Sequence, residues 1–212
     1  MAVGKEALAF LVTLVLTLSF APSAQGAVLS SSGGTLIYVA GQGERNDVNV
    51  SVGTTLGIIS VFAVTDADAP VSIGAGPCEV INGVGKCLAS GITGIFIDVQ
   101  DRDDTVEIAT GGPFGAVPLG AMLIGGRGED NLRGGVGPDF IKGNAGSDRL
   151  RGRLGADFYK GGQGSDVLQT IDHAPDAGIR CGDGHRDLIR GDRVDPHPFN
   201  CELGSLRSKS KD

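Results

Sequence analysis

GGRGEDNLR, GGVGPDFIK, GNAGSDRLR, GRLGADFYK and GGQGSDVLQ follow one another without a gap over residues 125–169. Position 1 of each nonapeptide is glycine: Gly125, Gly134, Gly143, Gly152 and Gly161. Position 4 is also glycine: Gly128, Gly137, Gly146, Gly155 and Gly164. Position 6 is always aspartate: Asp130, Asp139, Asp148, Asp157 and Asp166. Position 8 is large and mainly apolar: Leu132, Ile141, Leu150, Tyr159 and Leu168. A fixed short period of this kind marks a stacked repeat, in which no unit buries its apolar side chain alone. Positions 1–6 read as a turn and positions 7–9 as a very short strand. Glycine frees the backbone for positive φ, so carbonyls can turn toward one spot, and the aspartate adds a carboxylate there. Calcium takes about six to eight hard oxygen ligands in a tolerant geometry, whereas magnesium insists on a small octahedron and keeps its waters. Transition metals favour His or Cys, and the five repeats contain neither.

The repeats follow G-G-x-G-x-D-x-U-x and resemble the calcium-binding nonapeptides of the RTX (hemolysin-type) family, in a short bacterial secreted form. The resemblance implies an all-β fold, a parallel β-roll of calcium-binding repeats preceded by a β-rich N-terminal region. Two nonapeptides make one coil, so turns n and n+2 share a side. Asp130, Asp148 and Asp166 then stand on one side, and Asp139 and Asp157 on the other. The resemblance also implies Ca2+ as the bound ion. It would lie between neighbouring turns of one side, held by these aspartates and by backbone carbonyls of positions 1–5. Three sites result, between repeats 1 and 3, 3 and 5, and 2 and 4. Position 2 departs from glycine at Asn144 and Arg153. Arginine adopts the left-handed region less readily than asparagine, so the Asp139/Asp157 site is expected to be the weakest. Tyr159 needs a polar outlet for its hydroxyl if it points inward.

The flanks are read more coarsely. Residues 1–26 have the form of a Sec-type signal peptide, with Lys5 ahead of an apolar run over 7–20 and small residues Ala24 and Gly26 before Ala27. The run is too short for a span of about 20 residues, so no membrane span is expected after signal cleavage. This predicts a secreted, extracellular protein. Residues 27–112 form a β-rich N-terminal region, with a flexible Ser/Gly-rich start over 27–34. Strand-like runs lie at 36–40, 48–52, 55–64, 94–99 and 105–109. Asn82-Gly83 marks a hairpin turn. Residues 113–124 act as a linker and a leading, metal-free coil, because Ala121 stands where aspartate is expected. Residues 125–169 are the roll, 170–206 a C-terminal cap and 207–212 a disordered tail. The cap contains a worn sixth repeat at 182–190 (GDGHRDLIR), read with Gly182 at position 1 and Asp187 at position 6. It echoes 41–48 (GQGERNDV), so the N-terminal region can carry worn copies of the same coil. Asp101, Asp103 and Asp104 lack flanking glycines and read as a solvated loop.

Four cysteines behind an export signal point to disulfides. Short-loop closure favours Cys78–Cys87 and Cys181–Cys201. The formal charge of −7 weighs against nucleic acid as a partner. Signals for an enzyme are absent: there is no HExxH, no G-x-S-x-G and no dinucleotide fingerprint, so no catalytic residue is assigned. The expected function is a non-enzymatic secreted calcium-binding protein. The alternative is a calcium-dependent adhesin that presents position 9 (Arg133, Lys142, Arg151, Lys160) and Phe140 and Phe158 to an anionic polysaccharide or cell surface.

Overall fold

A computed structural model describes residues 26–55, 59–111, 116–184, 186–201 and 203–207. The signal-peptide segment and the last residues of the tail lie outside the described residues. The chain forms strands β1 (Ala27–Ser32), β2 (Thr35–Val39), β3 (Asp47–Thr55), β4 (Ile59–Asp66), β5 (Val71–Ile73), β6 (Cys78–Ile81), β7 (Val84–Leu88), β8 (Gly94–Asp98) and β9 (Thr105–Ile108). It continues with β10 (Ala121–Arg127), β11 (Asn131–Arg133), β12 (Phe140–Ala145), β13 (Arg149–Arg151), β14 (Phe158–Gln163), β15 (Val167–Gln169), β16 (Gly178–Gly182), β17 (Leu188–Asp192) and β18 (Leu203–Arg207). No helix occurs among the described residues.

Two sheets result. One runs β16-β14-β12-β10-β8-β2-β1-β5, and the other β18-β17-β15-β13-β11-β9-β3-β4-β7-β6. The repeats pair in parallel at a spacing of two nonapeptides: Leu132 with Leu150 and Leu150 with Leu168, and Ile141 with Tyr159. Successive strands therefore alternate between the sheets, which is the β-roll. The strand order runs across residue 112 and across residue 169 without a break. At the front, β8 pairs in parallel with β10, and β9 with β11. At the back, β16 continues from β14, and β17 from β15.

Position 8 builds the core. Val48, Val106, Leu132, Leu150, Leu168 and Ile189 form one buried column. Tyr38, Ile97, Leu123, Ile141, Tyr159 and Ile179 form the facing one. Both belong to one cluster. Position 7 of the first sheet builds an outer apolar ladder, Ile37, Phe96, Met122 and Phe140. Phe140 and Phe158 stack with parallel rings 5.1 Å apart.

Three readings need correction. Residues 27–32 are not a loose start: Ala27 and Leu29 are fully buried, and β1 pairs with both β2 and β5. The apolar alternation beneath the serines outweighs their polarity. The stretch after Gln169 does not leave the roll, because β16 pairs with β14 in register. Its turn is only longer than the others. Asp104 is not solvated, being 2% exposed.

The hairpin at 78–88 forms as expected. Asn82 and Gly83 take φ of 52° and 78°, and Cys78 faces Cys87 across β6 and β7. The bridges are Cys78–Cys87 and Cys181–Cys201.

Candidate metal centre

The position-6 aspartates stack in two ladders, one on each side of the roll. On the first, each Oδ1 accepts the backbone N–H of the aspartate one coil earlier: Asp148 from Asp130 at 2.8 Å, and Asp166 from Asp148 at 2.9 Å. On the second, Asp157 Oδ1 accepts from the Asp139 N–H at 2.8 Å. The sequence thus brings together every aspartate expected to share a side. The five are 0–3% exposed.

The second oxygen divides the two sides. The Oδ2 atoms of Asp130, Asp148 and Asp166 are buried with no hydrogen-bond partner. A buried acceptor in that state costs about 1–3 kcal/mol unless something else meets it. On the other side the protein supplies donors. Asp139 Oδ2 accepts the Gly135 N–H at 2.7 Å, and the Tyr159 hydroxyl lies 3.4 Å from Asp157 Oδ2. That hydroxyl also accepts the Gly152 N–H at 3.0 Å, so the inward tyrosine finds its polar outlet inside a turn.

The glycines do two different jobs. Positions 2 and 4 need the left-handed backbone in most turns: Gly126, Asn144, Arg153 and Gly162 at position 2, and Gly128, Gly146, Gly155 and Gly164 at position 4. Position 1 needs space instead. A Cβ on Gly125 would collide with Asp130 Oδ2 and come within 2.9 Å of the Gly143 carbonyl oxygen. A Cβ on Gly143 would meet Asp148 Oδ2 and the Gly161 carbonyl in the same way. At Gly125, Gly143 and Gly161, on the first side, an unpartnered carboxylate oxygen and a carbonyl of the next coil therefore converge on a place kept free of side chain.

Arg153 does more than occupy a strained position. Its guanidinium donates to the Ile108 carbonyl at 2.8 Å and the Gly134 carbonyl at 3.3 Å, and pairs with Glu107 at 2.7 Å. Glu107 also pairs with Arg133 at 3.2 Å and is held below its usual range, chiefly by Arg153.

Burial pushes the ladder carboxyls upward. Asp130, Asp139 and Asp166 rise from 3.8 to about 7, and Asp148 and Asp157 to about 6. For Asp139 the neighbouring Asp157 adds to the rise. Such a ladder holds its charges only with a compensating cation. Among the described residues no three His, Cys, Asp or Glu side chains converge on one point. A cation here has to draw on backbone carbonyls as well, and that donor set suits calcium.

The ladders are longer than the five repeats. Asp104 Oδ1 accepts the Asn46 N–H at 2.6 Å, and the Asp104 N–H donates to Asp130 Oδ1 at 3.0 Å. Residues 99–107 thus form a nonapeptide without glycine, in which Gln100 and Arg102 take φ of 72° and 84°. At the other end, Asp187 Oδ1 accepts the Asp166 N–H at 2.9 Å. Asp176 Oδ1 likewise accepts from Asp157 at 3.1 Å. Sequence reasoning read Asp104 as part of a solvated loop and did not consider Asp176. The Oδ2 atoms of Asp104, Asp176 and Asp187 are also unpartnered. The turn at Ala121 joins the second ladder through its backbone, the Ala121 N–H donating to Asp139 Oδ1 at 2.7 Å.

Residues 124–159 and 133–168 match the family described as RTX calcium-binding nonapeptide repeat (4 copies). The matched stretch is the five-turn segment that forms the centre of the roll, and these repeats bind Ca2+. No curated protein and no solved structure matches the chain.

Proposed function

We propose that this chain is a secreted, non-enzymatic protein in which Ca2+, bound by the RTX turns, orders the β-roll. The observation that carries the reading is the row of unpartnered, buried Oδ2 atoms at Asp130, Asp148 and Asp166, each beside a side-chain-free glycine and a carbonyl of the next coil. Ca2+ supplies the positive charge these oxygens lack. The residues assigned to it are Asp130, Asp139, Asp148, Asp157 and Asp166, with the glycine turns at positions 1 and 4 that shape the slots. The slots lie between Asp130 and Asp148, between Asp148 and Asp166, and between Asp139 and Asp157. The last is the weakest, because Gly135 and Tyr159 already serve its two Oδ2 atoms. Residues 1–26 deliver the chain to an extracellular, calcium-rich medium, and both disulfides suit that compartment.

Equilibrium dialysis against calcium tests the assignment. Asp148→Asn touches both slots of its side and lowers the bound calcium more than Asp139→Asn does. Equal losses from the two variants contradict the grading, and no bound calcium in the parent chain contradicts the function.

A second reading is favoured by one feature of the surface. Lys142, Lys160 and Arg180 stand side by side on β12, β14 and β16, and with Gln163 and Phe199 they line a groove of about 440 Å³. Arg180 also lies over the Phe158 ring, 5.5 Å from its centre. A cationic groove beside an aromatic ladder fits an anionic polysaccharide or cell surface, and the roll would then be a calcium-dependent adhesin. Retention on an acidic polysaccharide resin with calcium, lost with chelator and with Lys160→Glu, is the expected result. Equal passage through the resin in both conditions removes this reading.

A further inference from the structure

The matched repeats end at residue 168, yet the slot geometry does not. Gly161 begins the fifth turn and keeps its space free as the others do. A Cβ on it would collide with Asp166 Oδ2 and with the carbonyl oxygen of Cys181. Cys181 therefore takes the place that Gly143 and Gly161 hold for the turns before it. The register agrees, since Lys160 pairs with Arg180 and Gly162 with Gly182. The worn repeat must be read one residue earlier than its glycines suggest. Cys181 is position 1, Gly182 position 2 and Gly184 position 4, with Asp187 at position 6 after one inserted residue. Gly182 carries the positive φ of a position-2 residue, 117°. A Cβ on Gly184 would strike the Gly164 carbonyl, as one on Gly164 would strike that of Gly146. Asp187 is fully buried, its Oδ1 holds the Asp166 N–H, and its Oδ2 has no partner. The slot between the fifth turn and the turn of Asp187, two turns on, thus brings the unpartnered Asp166 Oδ2 and the Cys181 carbonyl together beside Gly161, with the unpartnered Asp187 Oδ2 on the next rung of the ladder. The Cys181–Cys201 disulfide fastens the strand that supplies that carbonyl.

We propose that Asp166, Asp187 and the Cys181 carbonyl form a further calcium site at the C-terminal end of the roll, outside the recognised repeats. It rests on the calcium reading above and adds a site to it. The front end offers no counterpart. Asp104 has the same unpartnered oxygen, but Val99 stands at position 1 with a buried side chain where every repeat has glycine. The back of the other side is occupied too, because the Tyr159 hydroxyl stands in the space beside Gly152. The extra site closes the open end of the stack and ties it to the disulfide.

The test is calcium counting by native mass spectrometry on the mature chain and on Asp187→Asn, both held in calcium. Asparagine keeps an oxygen to accept the Asp166 N–H and removes the charge. The expected result is one calcium fewer in the variant, with an unchanged far-ultraviolet circular dichroism spectrum. If the variant does not order in calcium, Asp187→Ser, which keeps a hydroxyl acceptor, is counted in its place. A folded variant that holds as many calcium ions as its parent overturns the site and leaves the repeat sites standing. A parent chain that holds none overturns both.

Discussion

Glycine and aspartate carry unequal burdens in these turns, and the two kinds of glycine separate by experiment. Gly146 has a φ of 142°, and an added Cβ would strike the Gly128 carbonyl, which is backbone and has no room to yield. Gly146→Ala is expected to cost about 3 kcal/mol or more, through strain and collision together. Urea unfolding in saturating calcium measures it. At position 1 the conflict is with a carboxylate instead. Gly143→Ala pushes Asp148 Oδ2 out of its place, so calcium affinity falls together with stability. The core is less specialised. Leu150 is fully buried in the position-8 column, and Leu150→Ala is expected to remove about 2–5 kcal/mol. The identity of the aspartates was legible in the sequence, because five copies repeat in phase. The purpose of position-1 glycine was not. A sequence shows that a side chain is absent, but not whether the backbone angle or the vacant space requires it.

The turns differ in what meets their buried carboxylates, and their burial sets a response to pH. Asp130 and Asp166 rise from 3.8 to about 7 through burial. A carboxyl more basic in the folded chain holds its proton more tightly when folded. Without metal, this contribution to folding is therefore full below about pH 4 and is lost as pH rises toward 7. Calcium displaces those protons, so its affinity is expected to fall as pH drops from 7.5 to 5, and binding to release protons. Calcium titrations by calorimetry in buffers of different ionisation heat measure both; an affinity independent of pH contradicts this account. Turns without glycine explain why the ladder was only partly legible. Gln100 and Arg102 adopt angles that usually call for glycine, so the turn before Asp104 does not announce itself. One inserted residue ahead of Asn46, and another ahead of Asp187, moves the aspartate or its equivalent out of phase with the glycines. The likeness between 41–48 and 182–190 was readable because both turns carry the same insertion.

The whole molecule is one stack whose strand order passes from the N-terminal strands through the repeats to β18. Its all-β character and its β-roll were legible, since the repeats resemble a family in which two nonapeptides make one coil and turns n and n+2 are neighbours. In the antiparallel part at the N-terminal end the β6/β7 hairpin was legible from Asn82-Gly83, whereas β3, β4 and the pairing of β4 with β7 were legible only as strands, because no turn motif or repeat period marks those partners. The Cys78–Cys87 bridge closes a hairpin at that end, and Cys181–Cys201 ties the other. Between them stands a thin core of one apolar side chain per turn, flanked by ladders of buried carboxylates. A ligand bound only by the folded state stabilises it by mass action, and a stack so poor in apolar bulk and so rich in buried charge depends on that contribution. The most direct measurement is a calcium titration of the chelated mature protein followed by far-ultraviolet circular dichroism. The account predicts a weak β signal in chelator and a cooperative rise toward millimolar calcium. A spectrum that is the same in chelator and in calcium contradicts it.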